Sequence, residues 1–189
     1  MVNKIAMILE DFINCTFTTI DQKDIKIYAK CFWAEKDERL KNFIDNVALD
    51  CDVNRAELDF SEESLEVLDR WLVNHVECVK LTKEEFELKR ELIPDYINID
   101  DWRFSDDTFS NIINVGLYLG EVMIHKYPDL KWEQRLNGKK SMNYGAMIIR
   151  LGKMEMNPMR LVNTICLKIV DNRPDSLLEI VHVWEEYVK

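Results

Sequence analysis

Glycine and proline are scarce, with 5 Gly and 4 Pro in 189 residues. A sandwich of many short strands needs more turn punctuation than that, so the shortage points away from an all-β fold and towards helix. Histidine is scarcer, with 3, and a site built on imidazole has to use His75, His125 or His182. The 5 cysteines (Cys15, Cys31, Cys51, Cys78 and Cys166) are odd in number, widely spaced and without a CxxC pair. This argues against a disulfide framework or a zinc knuckle and for reduced thiols. No apolar run approaches the roughly 20 residues of a membrane-spanning helix. The run Ile5 to Leu9 is too short for the core of a secretory leader, and Glu10 and Asp11 follow at once. The expected location is the cytoplasm, with no membrane partner. The GxSxG, GxGxxG and GxxxxGK[ST] patterns are also absent, so nothing marks a nucleophile elbow or a phosphate-cradling loop.

Acidic charge is plentiful and uneven. The net charge is −10; residues 1–110 hold 14 Lys+Arg against 26 Asp+Glu, and residues 111–189 hold 11 against 9. Binding along a nucleic-acid backbone needs the opposite sign, so no nucleic-acid partner is expected. An acidic surface suits a basic protein partner, with steered and salt-sensitive association, or simply keeps the chain soluble. The densest block runs from Asp45 to Asp69, with nine acids and only Arg55 as a base.

Hydrophobic residues make up 47% of the chain, enough for one sizeable core. The expected fold class is mainly α (α+β): a single-domain helical bundle with a small antiparallel β-sheet inserted in the C-terminal half. Residues 1–104 form its acidic helical part; residues 105–189 supply a central helix, the small sheet and the C-terminal helices. Helical spacing covers 3–14, 22–49 with a break near Lys36–Asp37, and 64–79. Residues 16–20 are β-branched and can be extended. Thr82 with Glu85 is a capping box that opens a short helix ending before Pro94. Residues 93–104 read as an ordered loop. Ser105 starts the central helix, which runs to about Tyr127. Residues 129–136 and 144–151 are strand-like, Asn157-Pro158 is a helix start, and a last helix spans 176–188.

The central helix poses the main question. Drawn at about 100° per residue, its apolar residues cover most of the circumference, and its polar ones fall in one wedge: Asn114, Tyr118, Glu121 and His125. Gly116 and Gly120 sit one turn apart on the opposite side. Each costs about 1 kcal/mol relative to Ala in a helix interior, which close approach of a neighbouring element offsets. A packing notch is therefore expected. The wedge reads as the solvent face, as a buried structural hydrogen bond through Glu121, or as a polar site of Tyr118, Glu121 and His125. In the last case Glu121 and His125 share a face and can act as acid and base.

Other patterns are incomplete. Asp50, Asp52 and Asn54 fall on the first ligand positions of a calcium loop, but Arg55 stands where glycine is required and Ser61 where glutamate is. Glu179-x-x-His182 has the spacing of a di-iron ligand pair but lacks a second copy. No metal and no cofactor is implied. Of the 5 tryptophans, Trp102 lies in the acidic stretch DDWRFSDD and is the one expected to be exposed as an interface anchor.

The stretch VGLYLGEVMIHKYPDLKWE, followed by a strand-like segment and MNP, resembles small uncharacterised bacterial proteins. These carry a V-G-x-Y-x-G-E helix, a Trp-bearing strand and an Asn-Pro helix start. The resemblance covers about residues 110–170 and rests on Gly116, Tyr118, Gly120, Glu121, Trp132, Asn157 and Pro158. Proteins of this kind look like immunity or accessory proteins near toxin genes, and the resemblance assigns no catalytic residue. The functional expectation is an acidic protein-binding protein, more a binder than an enzyme, of the immunity or antitoxin type. It would neutralise a basic toxin through Asp50, Asp52, Glu57, Asp59 and Trp102. The alternative is a small enzyme or a metal- or ligand-binding protein that uses Tyr118, Glu121 and His125.

Overall fold

The computed structural model describes residues 21–173 and 175–188. The helical pattern of 3–14, the β-branched run 16–20 and Cys15 lie outside the described residues. Among the described residues, six helices and two small antiparallel sheets make an α+β fold.

Helix α1 (Gln22–Cys51) begins at Asp21, whose carboxylate accepts the Lys23 amide. It buries Ile25, Phe32, Leu40, Phe43, Ile44 and Val47. No break interrupts it near Lys36–Asp37. Phe32 and Leu40 are two turns apart, and Lys36 holds the inward position between them. Its ammonium is paired with Glu121 at 2.8 Å, so a cation stands where the stripe has no apolar residue. The helix ends at Asp52, in the left-handed region at φ 52°, and a 3-10 turn (Arg55–Glu57) follows, closed by reciprocal hydrogen bonds between Asn54 and Glu57.

Helix α2 (Glu63–Val73) buries Leu65, Leu68, Trp71 and Leu72. It stops six residues short of the expected end, because residues 75–77 are taken by the start of the central helix. The Thr108 hydroxyl accepts the Glu77 amide at 2.8 Å and donates to the Glu77 carbonyl, and Asn111 donates to the His75 carbonyl. The chain then runs extended as β1 (Cys78–Lys80). After the Thr82-capped α3 (Lys83–Leu92) it pairs with β2 (Trp102–Phe104), Val79 opposite Arg103. This sheet replaces part of the loop expected at 93–104.

Helix α4 (Asp106–Lys126), capped by Ser105 and closed at Tyr127, is the axis of the core: Ile112, Val115, Leu117, Leu119, Val122 and Met123 are all buried. The second sheet has the order β3 (Trp132–Gln134), β4 (Met147–Leu151), β5 (Met154–Met156), with Ile149 paired to both Trp132 and Met156. β5 goes beyond the expected pair of strands; the β4–β5 turn passes through Gly152 at φ 57°. Helix α5 (Pro158–Val170) starts where Asn157 accepts the Arg160 amide. Helix α6 (Leu177–Val188) completes the fold, and its first amide donates to Asp69 of α2 at 2.9 Å.

The two glycines of α4 are a notch, as expected. A Cβ at Gly116 would stand 2.8 Å from the Met159 Cα in the first turn of α5, and one at Gly120 would stand 2.1 Å from Cζ2 of Trp132. The hydrogen side chains let α5 and β3 press onto the core helix.

Candidate functional site

The polar wedge of α4 splits into separate contacts. Tyr118 is fully buried. Its hydroxyl donates to the Ser64 Oγ at 2.7 Å and accepts the Phe60 amide at 3.1 Å, and burial pushes its pKa up. Phe60 sits at φ 64°, a conformation that costs a bulky residue about 1–3 kcal/mol. Its ring lies 4.8 Å from that of Tyr118 and 5.7 Å from His125. Tyr118 therefore clamps the loop that carries Asp59, Ser61 and Glu62.

Glu121 faces another way. One of its oxygens accepts both the Lys36 ammonium at 2.8 Å and the Trp132 indole N–H at 2.9 Å. Burial acts against the Lys36 charge, but Glu121 and Asp37 outweigh it and its pKa is raised. Asn114 accepts from Arg39 at 2.6 Å. Of the three readings of the wedge, the structural hydrogen bond describes Glu121 and Tyr118. Only His125 is exposed, and it lines an open cleft of about 310 Å³ with Phe60, Glu62, Glu63 and Lys126. Tyr118, Glu121 and His125 do not converge on one pocket.

The acidic residues gather on the shoulder made by the end of α1, the 3-10 turn and the start of α2. Asp52, Glu57, Asp59, Glu63 and Glu66 are exposed, and none has a basic partner within ion-pair distance among the described residues. Hydrogen bonds from the Ser61 hydroxyl and amide hold the Asp59 carboxyl below the usual carboxylate range. Asp50 is more engaged: it accepts the Trp71 indole N–H at 2.9 Å and lies 3.4 Å from the His75 Nε2. Leu49, beside Asp50, is 81% exposed. Trp102 is not the exposed tryptophan. It is half-buried, packs on the core and meets the ring of Phe104 at 5.6 Å, while Trp33 is 51% exposed.

One cluster escapes the sequence. The Lys126 ammonium at the end of α4 contacts the carboxylates of both Glu62 and Glu185. His182 lies 3.6 Å from the second oxygen of Glu62, and the Tyr127 hydroxyl donates to Glu185 at 3.1 Å. The two carboxylates raise the Lys126 pKa. The one local signal is the His182-x-x-Glu185 spacing, which puts both side chains on one helix face; Glu62 is too distant in sequence to be read with it.

No family model, no curated protein and no solved structure matches this chain.

Proposed function

We propose that this is a non-catalytic binding protein that engages a basic protein partner through its acidic shoulder, in its concrete form a bacterial immunity-type protein that neutralises a toxin. The observation that supports the reading is the exposed set Asp52, Glu57, Asp59, Glu63 and Glu66, none of them in an ion pair among the described residues, beside the protruding Leu49. Folding uses little of this charge. Glu57 accepts the Asn54 amide, and Asp59 accepts the amide and hydroxyl of Ser61, all of them local contacts. Such a surface gains from meeting a partner of opposite sign, which speeds encounter and rejects acidic competitors. A toxin that acts on nucleic acid carries a basic surface of this kind. Leu49 supplies the apolar contact that charge alone does not.

The test is affinity capture from the native cell at low and high salt, with the triple charge reversal Asp52→Lys, Glu57→Lys, Asp59→Lys run in parallel. A basic protein held by the wild type at low salt, released at high salt and not held by the variant is the expected result. A partner held equally by both proteins, or one whose retention ignores salt, ends this reading.

A further inference from the structure

We propose that Glu62, His182 and Glu185 form a binding site for a zinc-type divalent cation. Their donor atoms, one imidazole nitrogen and two carboxylate oxygens, all lie within 4.8 Å of one another. Zinc takes this mixture of ligands at about 2.0–2.2 Å in tetrahedral array, which sets neighbouring donors roughly 3.4 Å apart. His182 Nε2 and Glu62 Oε2 already stand 3.6 Å apart. The other pairs of donors are within 4.8 Å, and the His182 side chain is 55% exposed.

Three further features fit a metal site. Glu185 is buried and oriented by the Tyr127 hydroxyl, the kind of outer hydrogen bond that fixes a metal-bound carboxylate. The ligands come from two elements that pack side by side: Glu62 at the start of α2, and His182 with Glu185 one turn apart on α6. The adjoining cleft, lined by Phe60, Glu63 and His125, provides an entry path and room for a water as fourth ligand.

Lys126 is the competitor. Its ammonium sits between the carboxylates of Glu62 and Glu185, so the site already holds one positive charge. A divalent ion brings two and takes the imidazole as well. Lys126 lines the cleft and is about one-third exposed, so its flexible stem can swing aside when the ion enters.

The experiment titrates the metal-free full chain with zinc chloride by calorimetry and follows the unfolding temperature alongside. One equivalent should bind and raise that temperature. His182→Ala should weaken binding at least about tenfold, with Glu62→Gln as the second ligand variant should the first fold poorly. Lys126→Gln should bind more tightly than wild type, because the competing ammonium is gone. Cobalt(II) in place of zinc should give a spectrum without a thiolate charge-transfer band. Equal zinc affinity in wild type and both ligand variants, no binding to wild type, or a thiolate band would each overturn the proposal. So would a Lys126→Gln variant that binds no more tightly than wild type.

Discussion

The ring of Trp132 fills the space in which any side chain at position 120 would stand, and its indole N–H reaches past Gly120 to Glu121 on the next residue of α4. One tryptophan thus uses a glycine for contact and its neighbour for a hydrogen bond. Ala at 120 would gain about 1 kcal/mol of helix propensity. It would also drive a methyl group into a rigid ring, and overpacking of this kind costs about 1–3 kcal/mol. Gly120→Ala should lower the urea midpoint, and an unchanged or raised midpoint would show that the ring moves freely.

Tyr118→Phe keeps the buried ring and removes one oxygen. The Phe60 amide and the Ser64 hydroxyl then lose their shared partner. The expected loss is about 1–3 kcal/mol, read from chemical denaturation. Amide exchange in residues 59–64 should accelerate more than elsewhere. Uniform acceleration across the chain would mean that the hydroxyl does not clamp this loop.

Asp69 caps a helix that it does not belong to. It accepts the Leu177 amide and the Ser176 hydroxyl at the start of α6. Asp69→Ala should cost about 0.5–2 kcal/mol, and Asp69→Asn, which retains an acceptor, less. Burial raises the Asp69 pKa, and the two hydrogen bonds only partly offset it. The group's titration therefore favours the fold at low pH and ceases to do so as pH rises through its folded pKa. An NMR titration midpoint above about 3.9 is expected for this carboxyl; a midpoint below that value would contradict the burial argument.

The Lys36–Glu121 pair has the same sign of pH dependence, at the alkaline end of the scale. The folded pKa of Lys36 is raised, so its contribution is fully present below the unfolded value of about 10.4 and is lost as pH rises through the folded one. Lys36→Met should lower stability by about 1–3 kcal/mol near neutrality. The gap from wild type should stay level from about pH 6 to pH 9 and close only in stronger alkali. A gap that closes already near neutral pH would point to some other cause.

Thiol reactivity should follow burial. Cys78 is exposed, whereas Cys166 is fully buried and its thiol is pushed up to about 12. Iodoacetamide should label Cys78 in the native protein and reach Cys166 only on unfolding. Mass mapping of labelled peptides checks the order.

Local chemistry was legible in the sequence. The starts at Thr82, Ser105 and Asn157 depend on a cap and its first turn, and all three stand where spacing put them. The notch at Gly116 and Gly120 was legible for the same reason, since two helix-weakening residues one turn apart need a steric cause. The end of α2 was not. Helical spacing continues through Val76 and Val79, and what stops it is Thr108, 31 residues away. Which of the three readings of the wedge holds for Tyr118 was not legible, because a helical wheel cannot tell water from the polar atoms of a neighbouring loop, here Ser64 and Phe60. The Glu62–Lys126–His182–Glu185 cluster depends wholly on tertiary folding, and Trp102 pairs into a sheet that its acidic surroundings conceal.

A lysine on the inward stripe of α1 also settles alignment. Were α1 to slide by one turn along α4, a shift of about 5.4 Å, Phe32 or Leu40 would face Glu121 and the ammonium would meet hydrocarbon. An all-apolar stripe would tolerate such a slip with modest repacking; a single charged pair does not, because both partners would be left unmatched at once. Lys36 and Glu121 therefore serve as a register pin between the two longest helices of the fold, selecting one docking position among several that shape alone would allow.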